Sequence, residues 1–473
     1  MKILYLIRAI PHSTYHESTI RELCADGHNV DVLFDRAWSR DDPGRAANAF
    51  ADSNTSVSLG WSMRRTGLLR RPLFAARELL SYASYLNRSG QDQFYADRWS
   101  TYVPARRRFK NSKTLRNMLR SPAAVSALKT FNRLAPADGA IKTWLKESAY
   151  DAVVASPTNM RFSEYTDFIK AAKNLGIATI IQVLSWDNLT TKGLLHEVPD
   201  LTLAWNETQL KEAVEIHEIP SEQIVVTGSP FLDKWFKPDR PRIDDREFYQ
   251  RMGLSLGEDY VLYLGSSKNI ARDESWLVEG LAKALRDSDD ERLKNLTVLV
   301  RPHGANQEIY EHLDAPNIKL KLRKEQVPDS PDSFAEFDAT LRHSVCVAGL
   351  NTTGMVDALV ADRPVVALLV DEYANTNASR AVHFKYIIDA GVYEVAHTTE
   401  EAARIVGQIL GGADEKREYR TKFTRDFVRP YGPEVSAGLA ASTAITMAAT
   451  GKNAMQVRDA IHALESEQKV AVT

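Results

Sequence analysis

The feature that most constrains this chain is an alternation of short apolar runs with amphipathic stretches, repeated from the first residue onward. The opening reads MKILYLIR, AIPHSTYHE, STIRELCADGH and NVDVLFD: apolar strand, polar loop, amphipathic helix, apolar strand. Apolar runs of roughly four to eight residues between polar loops fit strands buried on both faces. Strands of that kind, separated by helices, build a parallel sheet with helices on both sides. Asp26 or Gly27 supplies the left-handed cap where the first helix must stop.

The pattern continues with YDAVVAS, a helix over 168–174, IATIIQVLSWDN, LTLAWNE, a helix over 209–216 and QIVVTGSP. A charged, proline-containing stretch follows, and a second series then starts. It runs DYVLYLGSS, a helix over 276–285, LTVLVRPHG, NIKLKL, SVCVAGLNTTGMVDALVADRPVVALLV, VYEV and a helix over 399–410. At 473 residues the chain exceeds one ordinary core. The sequence therefore predicts an α/β fold of two Rossmann-like domains facing a cleft. The N-terminal domain covers 1–230, with a basic helical insertion at 61–146. A linker covers 231–258, the second domain 259–430, and a helical tail with a packing role 431–473.

Composition excludes several classes. With 44% hydrophobic and 26% charged residues the chain has the make-up of a soluble globular protein. Its two cysteines, Cys24 and Cys346, neither build a disulfide framework nor match zinc-ligand spacing. The first run reads as a strand rather than a leader, and no window approaches the roughly 18 apolar residues of a spanning helix. A cytoplasmic protein is the expectation. The net charge of −2 hides an asymmetry, because residues 61–146 hold 18 Lys and Arg against 4 Asp and Glu. Within that segment RRPLFAARELLSYASYLNR and RRRFKNSKTLRNMLR interleave cations with leucine and aromatic residues. A basic amphipathic helix can lie on an anionic bilayer. The segment predicts an anionic membrane surface as a partner, at the inner face of the cell membrane, against the alternative that its arginines pair with acids elsewhere in the fold. No nucleic-acid binding module accompanies the charge.

In an open α/β sheet, ligands bind at the carboxyl ends of the strands. Four such ends carry polar chemistry here. In AGLNTTGMVDALV, Asn351, Thr352 and Thr353 open a helix, whose first N–H groups and dipole suit a diphosphate. Asp357, one turn inside, can accept hydrogen bonds from ribose or sugar hydroxyls. In LTVLVRPHG, Arg301 can fork onto phosphate and His303 can donate a second bond. Gly265 admits close backbone approach, and Ser266 and Ser267 add hydroxyl donors. In SWDNLTTKG, Asp187 follows a buried run and competes with His16, in the first loop, as the base that activates an acceptor hydroxyl. Asp287, Ser288 and Asp289 form a D-x-D string in a solvated loop, so no metal site is expected. No Walker pattern, G-x-G-x-x-G or H-E-x-x-H occurs.

These motifs, in this order over roughly residues 150–410, resemble GT-B glycosyltransferases, and in detail the branch that includes the CDP-glycerol glycerophosphotransferases. Trp186, Thr190, Lys192 and Gly193 resemble its W-H-G-T-P-L-K-x-x-G motif, and Gly228, Pro230 and Asp233 its G-x-P-x-x-D turn. Arg301 and His303 resemble its R-x-H-P strand end. Asp187 stands where that branch has histidine, and Gly304 where it has proline, which favours sugar transfer over polyol-phosphate transfer. The resemblance implies that the second half holds the nucleotide. The expected activity is a metal-independent transfer of a sugar from a nucleotide-sugar donor, a substrate rather than a cofactor, to a glycan or lipid-linked acceptor. A polyol-phosphate transferase and an idle membrane-bound scaffold are the alternatives. A UDP-sugar epimerase shares the architecture, but the glutamate-rich and arginine-rich signatures of that group are not visible.

Overall fold

The computed structural model describes residues 1–38, 56–88, 93–103, 112–322, 330–374 and 376–472. It divides into two compact units, Met1–Asp233 with Arg425–Thr473, and Lys234–Thr424.

The sheet of unit 1 has seven parallel strands: β1 (Lys2–Ile7), β2 (Asn29–Phe34), β3 (Val57–Trp61), β4 (Ala152–Ser156), β5 (Ala178–Gln182), β6 (Leu201–Ala204) and β7 (Ile224–Val226). Their spatial order is β3-β2-β1-β4-β5-β6-β7, which reverses direction between β1 and β4. Successive side chains of a strand point to opposite faces, and β1 shows the consequence. Ile3, Tyr5 and Ile7 join one core with Ile20 and Leu23, while Leu4 and Leu6 join another with Ile141, Phe168 and Ile169. β3, the strand VSLGW, is an edge strand that the strand reading of the sequence omits.

The tail is not a separate appendage. The chain returns to unit 1 after residue 424, and the helices Ala437–Ala449 and Ala454–Val472 place Ala440, Ala444, Ile445, Val457 and Ile461 in the first of those cores. A Cβ on Gly438 would collide with Ser18 Oγ and lie 2.7 Å from the Ser18 carbonyl carbon, so the helices Glu17–Ala25 and Ala437–Ala449 pack at a distance only glycine allows.

The basic segment is helical, as Arg70–Asn87, Gln93–Ser100, Lys113–Arg120, Pro122–Leu134 and Gly139–Ser148, with a small core of its own around Tyr82, Tyr85, Trp99 and Leu119. Part of its charge is structural. Arg65 and Arg77 both pair with the buried Asp167, at 2.7 and 3.0 Å, and Arg70 pairs with Glu164 at 2.7 Å. The run RRRFK at 106–110 lies outside the described residues. Among the described residues no helix is long and apolar enough to cross a membrane.

Unit 2 repeats the design with six parallel strands: β8 (Tyr260–Leu264), β9 (Thr297–Arg301), β10 (Ile318–Leu320), β11 (Cys346–Gly349), β12 (Val365–Leu368) and β13 (Glu394–Ala396). The order is β10-β9-β8-β11-β12-β13, with its reversal between β8 and β11. The segment expected as a linker contributes the helix Asp245–Met252 to this unit, with Phe248 and Met252 buried.

Candidate functional site

Both sheets place polar groups beyond the carboxyl ends of the strands that flank the order reversal, where a doubly wound sheet opens a crevice. In unit 2 the three adjacent strands β9, β8 and β11 end in Arg301, Leu264 and Gly349. Strand order alone therefore gathers Arg301 and His303, Gly265 to Ser267, and Asn351 to Thr353 at one edge.

The first of these turns is held from within the unit. The Gly265 N–H donates to the Arg301 carbonyl at 3.0 Å, and a Cβ at Gly265 would meet Tyr310 Oη at 2.5 Å and Pro302 Cα at 3.1 Å. Glycine here is a packing requirement. The Ser266 N–H donates to Glu274 and its carbonyl accepts from Asn306, so Ser266 is buried and committed, whereas Ser267 is half-buried. Burial holds the Glu274 carboxyl above the usual carboxylate range.

Arg301 differs from the displayed phosphate ligand that its strand-end position suggests. Its side chain is 1% exposed, pairs with Glu336 at 3.4 Å and lies 5.1 Å from the Phe337 ring centre. Glu336 also meets Lys321 at 3.3 Å and Arg251 at 3.7 Å. His303 is half-buried, and its Nδ1 accepts the Ala305 N–H at 3.1 Å, which assigns the proton of the neutral ring to Nε2.

Thr352 is the N-cap of the helix Thr353–Val360, yet its side chain makes no capping bond. The first-turn N–H groups are thus not satisfied by the residue that ordinarily does so. Thr353 is exposed and Asn351 buried. Asp357 is buried and accepts Trp235 Nε1–H, from an indole of the same unit, at 2.8 Å through Oδ1.

In unit 1 the two candidate bases are engaged. Asp187 accepts from Ser185 Oγ at 2.6 Å and Thr191 Oγ1 at 2.9 Å, and pairs with Lys192 at 3.0 Å. Those bonds close the turn SWDNLTTKG on itself. Gly193 completes it, because a Cβ there would lie within 3.0 Å of Ser81, Trp99 and the Asn159 carbonyl. His16 is 1% exposed, with Nδ1 3.2 Å from Tyr5 Oη, and burial pushes its pKa down to about 3. The reading of His16 as a loop histidine facing a cleft is corrected here: the ring sits inside the unit, neutral and shielded from solvent.

The G-x-P-x-x-D turn is likewise structural. Gly228 adopts φ +86°, and Asp233 accepts the N–H groups of Ala437 and Gly438 at 3.0 and 2.7 Å while pairing with Arg429 at 3.1 Å.

The sequence reading passed over other residues at this edge. Arg8 follows β1, Asp35 and Trp38 follow β2, Ser156 to Arg161 end and follow β4, and Asn188 follows β5. Their signal is positional, since each lies within about six residues of a strand's carboxyl end. Arg8 is buried and burial lowers its pKa to about 10, with Asp35 opposing the shift. The Glu78 carboxyl is pushed up to about 7 by burial, against the Phe162 N–H that it accepts at 2.8 Å.

The D-x-D string shows no ligand geometry: Asp287 pairs with Lys283 at 2.6 Å. Among the described residues no group of three or more His, Cys, Asp or Glu could hold a metal ion.

No protein-family model matches the sequence, and no curated protein matches it. Solved structures do match in fold. A putative UDP-N-acetylglucosamine 2-epimerase from Listeria monocytogenes superposes with a TM-score of 0.55 at 10% identity, over 96% of this chain and 98% of that one. The UDP-GlcNAc 2-epimerase from Neisseria meningitidis bound to UDP-GlcNAc gives 0.52 at 13%, over 96% and 100%. The Methanocaldococcus jannaschii UDP-GlcNAc 2-epimerase in complex with UDP-GlcNAc and UDP gives 0.50 at 14%, over 94% and 99%. At such identities the likeness is one of fold, and the fold of this chain, two parallel-sheet α/β domains with their helices, is GT-B.

Proposed function

We propose that the chain is a nucleotide-sugar-dependent GT-B enzyme that transfers the sugar to a hydroxyl acceptor, a glycolipid or surface polysaccharide precursor. The observation that supports it is the edge of unit 2, where one strand reversal gathers a helix start lacking its side-chain cap, a histidine with its Nε2 proton assigned, and a rigid Gly-Ser-Ser turn. Helix N-terminal N–H groups suit a diphosphate, and donors aimed at the leaving diphosphate would stabilise its developing charge without a metal. Arg301, buried behind that edge, would contribute through its field. The experiment is nucleotide release from UDP-, GDP-, CDP- and dTDP-sugars with lipid-linked acceptors. CDP-glycerol in the same assay tests polyol-phosphate transfer.

A second reading has a specific observation in its favour, since solved UDP-GlcNAc 2-epimerases match this chain over nearly its whole length. Proton NMR of UDP-GlcNAc incubated with the protein and no acceptor separates the two readings. Epimerisation yields a new UDP-sugar; transfer leaves it unchanged.

The partner of the basic segment is an anionic bilayer in this reading. Leu68, beside Gly67 at φ +75°, is 97% exposed, and Leu134 is 73% exposed. On the helix Pro122–Leu134 the residues Ala123, Ala127, Thr130, Phe131 and Leu134 share one face, with Leu69 at its border. Arg71, Arg120 and Arg133 of the same basic segment are exposed. Two copies of so basic a segment would repel, whereas anionic lipid complements it.

A further inference from the structure

The carboxyl edge of the unit 1 sheet carries a constellation that the nucleotide reading does not use. Arg8 donates through Nη2 to the Arg161 carbonyl at 3.0 Å, and its guanidinium lies 3.8 Å from the centre of the Trp38 ring. The Arg161 guanidinium lies 4.8 Å from the Tyr102 ring and 5.0 Å from that of Phe162. Aromatic faces and backbone hold these two cations, in contrast to Arg77, which forks onto the Asp167 carboxylate.

Around them lie buried polar atoms with no hydrogen-bond partner among the described residues: Ser156 Oγ, Thr158 Oγ1, Asn159 Oδ1, Asn188 Nδ2 and Arg161 Nε. Backbone and side-chain bonds tie this group together, from the Arg8 N–H to the Ser156 carbonyl at 3.4 Å and from Asn159 Nδ2 to the Asn188 carbonyl at 2.9 Å. Buried polar atoms are nearly always paired, so such a cluster beside a strand reversal marks a place built for a polar guest. The charge balance gives the guest its sign. Lys192 is matched by Asp187. Arg8, Arg161 and Arg64 then share Asp35, the stronger partner of Arg8, and Glu78, whose carboxyl burial pushes up to about 7. Among the described residues at least one positive charge is left over.

We propose that this edge of unit 1 binds the oxyanion, phosphate or carboxylate, of a hydroxylated small molecule, with Arg8 and Arg161 on the anion and Ser156, Thr158, Asn159 and Asn188 on its hydroxyls. As the acceptor side of a sugar transferase the site rests on the function proposed above; as an anion site it does not.

The test is isothermal titration of the full chain with inorganic phosphate and, separately, with acetate, at constant ionic strength. The wild type binds at least one of the two, and the stronger identifies the oxyanion. Arg161→Gln binds it at least tenfold more weakly, Trp38→Leu severalfold more weakly, and Arg21→Gln, on a distant helix, like the wild type. Trp38 is partly exposed, so its variant reads the site even if Arg161→Gln fails to fold. The proposal is overturned by absence of binding of both anions, by equal binding in the wild type and both site variants, or by complete displacement when a nucleoside diphosphate saturates the protein. A wild type that binds phosphate at Arg161 but no nucleotide refutes the function proposed above and leaves this site standing.

Discussion

Asp233 Oδ2 accepts the backbone N–H of Gly438 at 2.7 Å, joining residues 205 positions apart in the sequence. The same carboxylate takes Ser18 Oγ–H at 2.6 Å and pairs with Arg429 at 3.1 Å. One side chain thereby caps the first helix of the returning tail and fastens it to the first helix of the chain. Asp233→Ala leaves the Arg429 guanidinium buried without its carboxylate, a loss of about 3–5 kcal/mol. Chemical denaturation of unit 1 measures it.

Gly438→Ala tests the same junction from the packing side. The added methyl would meet backbone as well as a hydroxyl of Ser18, and overpacking of this kind costs about 1–3 kcal/mol. A variant as stable as the wild type would mean that the two helices pack less closely than 2.7 Å implies.

His217 supplies a pH test. Its Nδ1 accepts the Leu195 N–H at 3.1 Å, its Nε2 lies 2.8 Å from the Leu189 carbonyl, and burial lowers its pKa to about 3. A depressed histidine pKa means that the unfolded chain binds the extra proton, so the stability it brings is full above about pH 6.5 and is lost as pH falls toward 3. His217→Gln should be less stable than the wild type at pH 7.5. The gap should narrow by up to about 1.4 kcal/mol per pH unit below 6.5. A gap independent of pH between 7.5 and 5 would show that the ring titrates normally.

The proposed membrane docking has separable apolar and electrostatic parts. Leu68→Ala with Leu134→Ala removes six methylene equivalents, up to about 5 kcal/mol at about 0.8 kcal/mol for each one buried in the bilayer, and should weaken sedimentation with phosphatidylglycerol-containing vesicles by at least about tenfold. Arg71→Gln with Arg133→Gln should cost about 1 kcal/mol each and remove much of the salt dependence. Equal binding to neutral phosphatidylcholine vesicles would contradict the account.

The alternation of apolar strands with helices made both parallel sheets legible, because strands buried on both faces leave an uninterrupted apolar run. The helix over 399–410 even falls at Thr399–Leu410. What escaped is what spacing cannot encode. Edge strand β3 has no fully buried residue, and the tail's return to unit 1 depends on contacts such as Asp233 with Gly438. Site residues divide the same way. Position at a strand end was readable for Arg301, Asp187 and His16, but a sequence does not say that an arginine will find a glutamate behind it, or that a loop histidine will sink against Tyr5. Arg8 and Arg161 went unnoticed because neither belongs to a motif; only the neighbouring ends of β1 and β4 bring them together.

The central claim is that the edge of unit 2 holds a nucleoside diphosphate. Thermal unfolding of the full chain with UDP, GDP, CDP and dTDP tests it most directly, because a ligand at about a hundred times its Kd adds roughly 2.7 kcal/mol. The account predicts that one of the four raises the unfolding temperature, that His303→Ala loses most of the shift, and that Asp187→Asn, in the other unit, keeps it. No shift with any of the four, or an equal loss in both variants, would contradict it.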